Sequence, residues 1–180
     1  MARLYKRYRD EIVPEMQKIF GIENALSVPR LEKIVVNMGV GEALQDIKLL
    51  ETAMQDLATI TGQKPIIRRS RKAISNFKLR SGMPVGCKVT LRKTKMYEFM
   101  DRLIHFCLPR IRDFSGVSRR AFDQQGNYTL GIDDQSIFPE VDTANIQRTQ
   151  GMDVTFVFNH GPSEQTTELL RLFGMPFAKA

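Results

Sequence analysis

Between Asp56 and Glu98 the chain has no acidic residue. Eleven basic ones fall there: Lys64, Arg68, Arg69, Arg71, Lys72, Lys78, Arg80, Lys88, Arg92, Lys93 and Lys95. Elsewhere in the 180 residues acids outnumber bases, so the formal charge of +7 comes from this one segment. A block of like charge raises the free energy of an isolated fold by self-repulsion. A polyanion seated on it relieves the repulsion and releases condensed counterions. The alternative is a solvated basic face with no partner.

Other scarcities narrow the field. No apolar run approaches the ~18 residues of a membrane-spanning helix, and mean hydropathy is −0.26. The basic start, Met1 to Arg9, has no apolar stretch behind it and does not read as a secretory signal. There are only two cysteines, Cys87 and Cys107, both inside apolar patterns. They read as small buried hydrophobes in a reducing compartment, the cytosol, and not as a metal site or a redox pair.

Catalytic patterns are missing as well. Gly39-Val40-Gly41 sits between a strand and a helix, but Leu44 stands where a dinucleotide-binding turn needs its third small residue. No phosphate-loop lysine motif occurs. His105 and His160 show no Cys, His or carboxylate partner at ligand spacing. Asp133, Asp134, Glu140 and Asp142 suggest a magnesium site only if phosphate would bind the least basic part of the chain; acidic turns are the simpler reading. No Ser or Cys nucleophile has a base beside it. The expectation is a protein that is not an enzyme and uses no cofactor.

At this length one domain with a 42% hydrophobic composition can bury a real core. Leu4 to Phe20 reads as a helix ended by Gly21, with Pro14 kinking or restarting it. Leu31 to Met38 is a strand with Ile34, Val36 and Met38 on one face and Lys33, Val35 and Asn37 on the other. A helix carrying Ile47, Leu50, Met54, Leu57 and Ile60 on its apolar stripe stops at Gly62. Pro65 to Arg68 is a short strand. Arg69 to Pro84 is too polar for a core and is broken by Ser-Gly and Met-Pro, so it reads as a long loop or ragged hairpin. Its Phe77 and Met83 either lie on a ribose or base at the tip of the basic projection or pack back beneath it, and packing back is the simpler reading.

Gly86 to Arg92 alternates, with Cys87, Val89 and Leu91 inward and Lys88, Thr90 and Arg92 outward. A helix follows over Met96 to Leu108, then strands over Tyr128 to Ile132 and Met152 to Phe158. A last helix is capped by Ser163 and stopped by Gly174. This order implies an α+β two-layer sandwich: a mostly antiparallel sheet, helices on one side, and a long basic inter-strand loop at about 69–84. Lys33, Asn37, Lys88, Thr90 and Arg92 fall on the polar side of their strands, a chemistry suited to RNA backbone and unstacked bases. From Ala121 to Leu170 eight acids face one base, Arg148. That anionic part suits either solvent or a basic protein.

An ordered set of segments resembles one family: Pro29 to Gly41; Thr61 to Pro65 running into Arg71-Lys72-Ala73-Ile74 and Lys78-Leu79-Arg80; Gly86 to Arg92; Leu108 to Phe114; Gly126-Asn127-Tyr128; and Gly151 to Val154. The family is the fifth protein of the large ribosomal subunit, in its bacterial form. The resemblance implies a 5S rRNA-binding protein of the cytoplasmic ribosome that helps anchor that RNA in the central protuberance, beside large-subunit rRNA and neighbouring proteins. It also implies contact with P-site tRNA and a bridge to the thirteenth small-subunit protein from the region after Pro109. Carried onto this chain, Asn37, Gln63 and Thr90 are base or sugar contacts, and Lys33, Lys88 and Arg92 hold phosphates. Arg69, Arg71, Lys72, Lys78 and Arg80 reach toward tRNA. The rival readings are a structured-RNA binder outside the ribosome and a protein that rests its basic block on anionic lipid. The block lacks the amphipathic helix that usually accompanies lipid binding.

Overall fold

The structure is a computed structural model that describes residues 2–44, 46–141 and 148–178. Five strands, β1 (Leu31–Gly39), β2 (Ile66–Arg69), β3 (Pro84–Leu91), β4 (Tyr128–Ile132) and β5 (Met152–Phe158), form one antiparallel sheet in the order β2-β3-β1-β5-β4. The helices are α1 (Arg3–Arg7), α2 (Val13–Phe20), α3 (Ile47–Thr61), α4 (Lys93–Arg102) and α5 (Ser163–Leu172). The expected α+β architecture is present.

Strand parity decides the layers. In β1, Ile34, Val36 and Met38 are fully buried while Lys33, Val35 and Asn37 are half-buried; in β3, Cys87, Val89 and Leu91 are buried while Lys88 and Thr90 are half-buried. β5 repeats this with Met152, Val154, Phe156 and Phe158. Each of these three strands thus offers one apolar face to a core and one more polar face away from it.

The chain forms two compact units. One comprises residues 1–34, 91–130 and 155–180; the other comprises 35–90 and 131–154. In the first, α1 packs on α4 and α2 on α5. Its buried helical stripe is Leu4, Tyr8, Ile12 and Met16, and Tyr5 and Ile19 lie at the exposed margins of that stripe. The Tyr8 ring stacks on Phe173 at 5.9 Å, and its hydroxyl donates to the Pro29 carbonyl at 3.0 Å. Tyr128 is wholly buried and donates to the Ser118 carbonyl at 2.8 Å. In the second unit α3 buries Leu50, Ala53, Leu57 and Ile60. Ile47 is exposed, contrary to the periodic reading, because it is the first residue of the helix and Asp46 caps it there.

Pro14 and Pro109, which each follow a helical run, are accommodated in the same way. A π-helical turn, Tyr8–Ile12, precedes Pro14, and another, Leu103–Cys107, precedes Pro109. In each case the N–H of the residue before proline bonds five residues back, Val13 to Tyr8 and Leu108 to Leu103. The wider turn leaves room for a ring that otherwise clashes with the carbonyl four residues earlier.

Gly21 and Gly62 take the left-handed conformation expected after a helix, at φ 63° and 64°. Ser163 is not a cap: it is the first helical residue, Pro162 precedes it, and its carbonyl accepts from the Thr166 and Thr167 hydroxyls. Helix α4 begins at Lys93, three residues before the apolar stripe that marks it in the sequence.

Burial pushes the thiols of Cys87 and Cys107 up to about 11. A raised acid contributes stability fully present below its unfolded value near 9 and lost as pH climbs through about 11. At pH 8 neither thiol is expected to react with an aromatic disulfide reagent until denaturant exposes it, after which both react. Rapid labelling of the native protein would contradict this burial.

Candidate nucleic-acid interface

In the second unit the open side of β1 and β3 presents Asn37, Lys88 and Thr90, all half-buried. No hydrogen-bond partner within the protein, among the described residues, takes up the Asn37 amide or the Thr90 hydroxyl. Unspent donors and acceptors on a half-buried surface have value when a ligand supplies the missing partners. Gln63 follows the left-handed Gly62, and its Nε2 donates to the Thr90 carbonyl at 3.2 Å. That bond ties the turn after α3 to the end of β3 and leaves the Gln63 side-chain oxygen to accept from a ligand. Three of the residues singled out in the sequence, Gln63, Thr90 and Lys88, therefore belong to one local arrangement.

β2 adds two residues the sequence reading did not include. In the antiparallel register Ile66 faces Lys88 and Arg68 faces Gly86, with a bulge between Arg68 and Arg69. Directly opposed residues share a face of the sheet, so Ile66, 64% exposed, and Arg68 stand on the side of Lys88. The short strand hid this, because four residues reveal no parity until the register is known.

In the first unit Arg92 Nη1 meets Glu32 Oε1 at 3.0 Å, with both side chains about half exposed. The Arg92 hydrogen bond, then the nearby Lys33 charge, hold the Glu32 carboxyl below the usual carboxylate range. Arg92 therefore shares its charge with a carboxylate. Among the described residues Lys33 has none within ion-pair distance.

The connection from β2 to β3 is a ragged hairpin. Ser70 N–H bonds the Met83 carbonyl at 2.8 Å and Gly82 N–H bonds the Ser70 carbonyl at 2.9 Å. Farther out Ile74 and Leu79 pair around a 3-10 turn, Ser75–Phe77, with Lys78 in the left-handed region at φ 51°. Arg71, Lys72, Lys78 and Arg80 are exposed, and among the described residues no carboxylate pairs with them. Arg69 is held differently: its Nη1 donates to the Gly82 carbonyl at 2.9 Å, closing the hairpin neck. Phe77 is 70% exposed and does not pack back. Met83 does turn inward, its sulfur accepting from the Arg80 N–H.

His105 does have a carboxylate one turn back, contrary to expectation: its Nδ1 lies 2.8 Å from Asp101 Oδ1, and Arg3 takes the same carboxylate at 2.6 Å. His160 sits 3.0 Å from the Ser27 carbonyl. Asp134 caps a 3-10 turn, and Asp123 accepts from Gln125 and Asn127, as acidic turn residues do. Asp142 lies outside the described residues. Among the described residues no group of three or more His, Cys, Asp or Glu is placed to hold a metal ion, and no helix is long and apolar enough to cross a membrane.

Comparison with known proteins gives matches along most of the chain. The family model for ribosomal protein L5 matches residues 24–80, and the one for the C-terminus of the same ribosomal family matches residues 84–177. Proteins named large ribosomal subunit protein uL5 are similar over nearly full length. That of Geotalea uraniireducens (strain Rf4) is 54% identical over 177 residues, 98% of this chain and 99% of its own. That of Clostridium perfringens (strain SM101 / Type A) is 53% identical over 179 residues, 99% of this chain and all of its own. That of Clostridium kluyveri (strain NBRC 12016) is 55% identical over 177 residues, 98% of each chain.

Proposed function

The chain belongs to the ribosomal protein L5 family, structural and non-enzymatic constituents of the large ribosomal subunit, and from that premise we propose that its work is to bind 5S rRNA and place it in the central protuberance. The observation that carries the reading is that, among the described residues, the Asn37 amide and Thr90 hydroxyl have no hydrogen-bond partner and the neighbouring Lys88 has no carboxylate within ion-pair distance. Lys88 and Lys33 supply charge that positions a phosphate backbone; the amide and hydroxyl supply directional contacts to base or sugar. Arg92 contributes less than a free cation, since Glu32 shares it. The 69–84 hairpin, with Arg71, Lys72, Lys78 and Arg80 outward, suits a backbone whose base sequence varies, as between one P-site tRNA and another. The acidic region after Pro109 suits a basic partner, the thirteenth small-subunit protein, across the subunit boundary.

Binding of 5S rRNA to the full chain, against a structured control RNA of equal length at the same salt, tests the reading. Strong preference for 5S rRNA is expected. Equal affinity for both would favour a general structured-RNA binder. Asn37→Ala and Thr90→Ala should each weaken 5S rRNA binding by about 1–3 kcal/mol, the worth of a good specific contact. Unchanged affinity in both variants would remove these residues from the interface.

A further inference from the structure

Helix α4 begins without a side-chain cap. Its N-cap is Arg92, its first turn contains no acidic residue, and Lys93 stands at its start with a left-handed backbone, φ 54°. Open N–H groups and the positive end of the helix dipole favour an anion at this end, and cations placed there are repelled until one arrives. Beside it lies a groove of about 370 Å³ lined by Ala2, Tyr5, Lys93, Thr94 and Tyr97, within the size range of small-ligand pockets. The Tyr5 and Tyr97 rings are 5.3 Å apart and tilted by 57°. Tyr5 is 37% exposed and offers an open ring. Tyr97 is only 5% exposed, and its hydroxyl, which has no hydrogen-bond partner among the described residues, lies at the accessible edge of the ring and is free to donate to a ligand. Burial, followed by the neighbouring Tyr8 and Tyr5, also raises its pKa, so it remains a donor across the physiological range.

We propose that this groove takes one unstacked nucleotide of a ribosomal RNA strand, with its phosphate at the α4 N-terminus beside Lys93, its base on the Tyr5 ring, and a polar base or ribose atom on the Tyr97 hydroxyl. Among the described residues that line the groove the charged one, Lys93, is a cation, and Ala2, Tyr5 and Tyr97 make apolar and aromatic walls. That pairing matches a phosphate joined to a planar ring and disfavours an acidic peptide, which would leave the aromatic wall unfilled. The inference rests on the reading of the chain as an rRNA binder, but it uses none of the residues that carry that reading.

The test titrates a labelled hexaadenylate RNA into the full chain, with 5S rRNA binding measured in parallel. Tyr5→Ala and Tyr5→Leu should weaken hexaadenylate binding about 5–150-fold, the effect of removing one stacked base, and Tyr5→Phe should restore it. Lys93→Gln should flatten the plot of log affinity against log salt by about 0.7, one single-strand phosphate. Tyr97→Phe should cost about 2–12-fold, one hydrogen bond. All these variants should keep 5S rRNA affinity within about twofold, far inside the range of a specific contact. Lys93→Gln and Tyr97→Phe keep the test decisive should Tyr5→Ala fail to fold. Unchanged hexaadenylate binding in all variants overturns the proposal. So does adenosine monophosphate binding as tightly as the oligomer, which would assign a free nucleotide, or competition by phosphatidylglycerol vesicles, which would assign a lipid. If wild type fails to bind 5S rRNA while the Tyr5 effect persists, the 5S reading fails and the groove stands.

Discussion

Gly86→Ala is expected to cost about 3 kcal/mol of unfolding free energy, the upper end of the range for overpacking a well-filled site. Gly86 is buried in β3. A Cβ built there would overlap the carbonyl oxygen of Met38 and lie 3.3 Å from Gly39 Cα. Both obstacles are backbone, which cannot rotate aside as a side chain does. Its backbone conformation is open to any residue, so the penalty is steric and not conformational. Gly39→Ala is the control: a Cβ there meets nothing within 4 Å, and stability should stay within about 0.5 kcal/mol of wild type. Urea unfolding monitored by circular dichroism reads both. A Gly86→Ala protein as stable as wild type would mean that β1 and β3 do not approach as closely as described. Because Asn37 and Thr90 lie on these two strands, the same variant should weaken 5S rRNA binding if the proposed interface is right, although neither of these side chains is removed.

Replacing Arg71, Lys72, Lys78 and Arg80 together with alanine should leave 5S rRNA affinity nearly intact and sharply impair tRNA retention in assembled ribosomes. The four side chains are exposed and, among the described residues, unpaired with carboxylates. Their removal therefore leaves no buried charge behind and costs little stability. What it removes is attraction for phosphate, worth about 0.7–0.9 in the slope of log affinity against log salt for each phosphate no longer neutralised. The slope for tRNA should fall by up to about 3–4 and that for 5S rRNA should barely move. Arg69 belongs outside this set, since its bond to Gly82 closes the hairpin neck; Arg69→Ala should loosen the hairpin as well as remove a charge. A large loss of 5S rRNA affinity in the quadruple variant would merge the two surfaces into one.

Much of this was legible in the residue order. Alternation identified the inward faces of β1 and β3, because side-chain direction repeats every two residues whatever the strand's neighbours. Gly21 and Gly62 marked helix ends, since the left-handed turn there is a local demand. The acid-free stretch from 57 to 97 pointed to a polyanion partner on charge alone. The misreadings were also local. Proline at 109 concealed the π-turn ahead of it, Ser163 looked like a cap where Pro162 already opens the helix, and Asp101 was overlooked one turn before His105.

What the residue order determined by itself, then, is where strands and helices run, which way each strand faces, and where the positive charge collects. Only the folded chain decided which polar groups are already satisfied. Arg92 finds Glu32 across sixty residues and Gln63 finds Thr90 across twenty-seven, whereas Asn37 and the Thr90 hydroxyl find no partner among the described residues. Periodicity arises from backbone geometry within a few residues. Pairing depends on which distant segments meet, and that follows from the strand order and register, so the line between a spent polar group and one available to RNA appears only once the sheet is assembled.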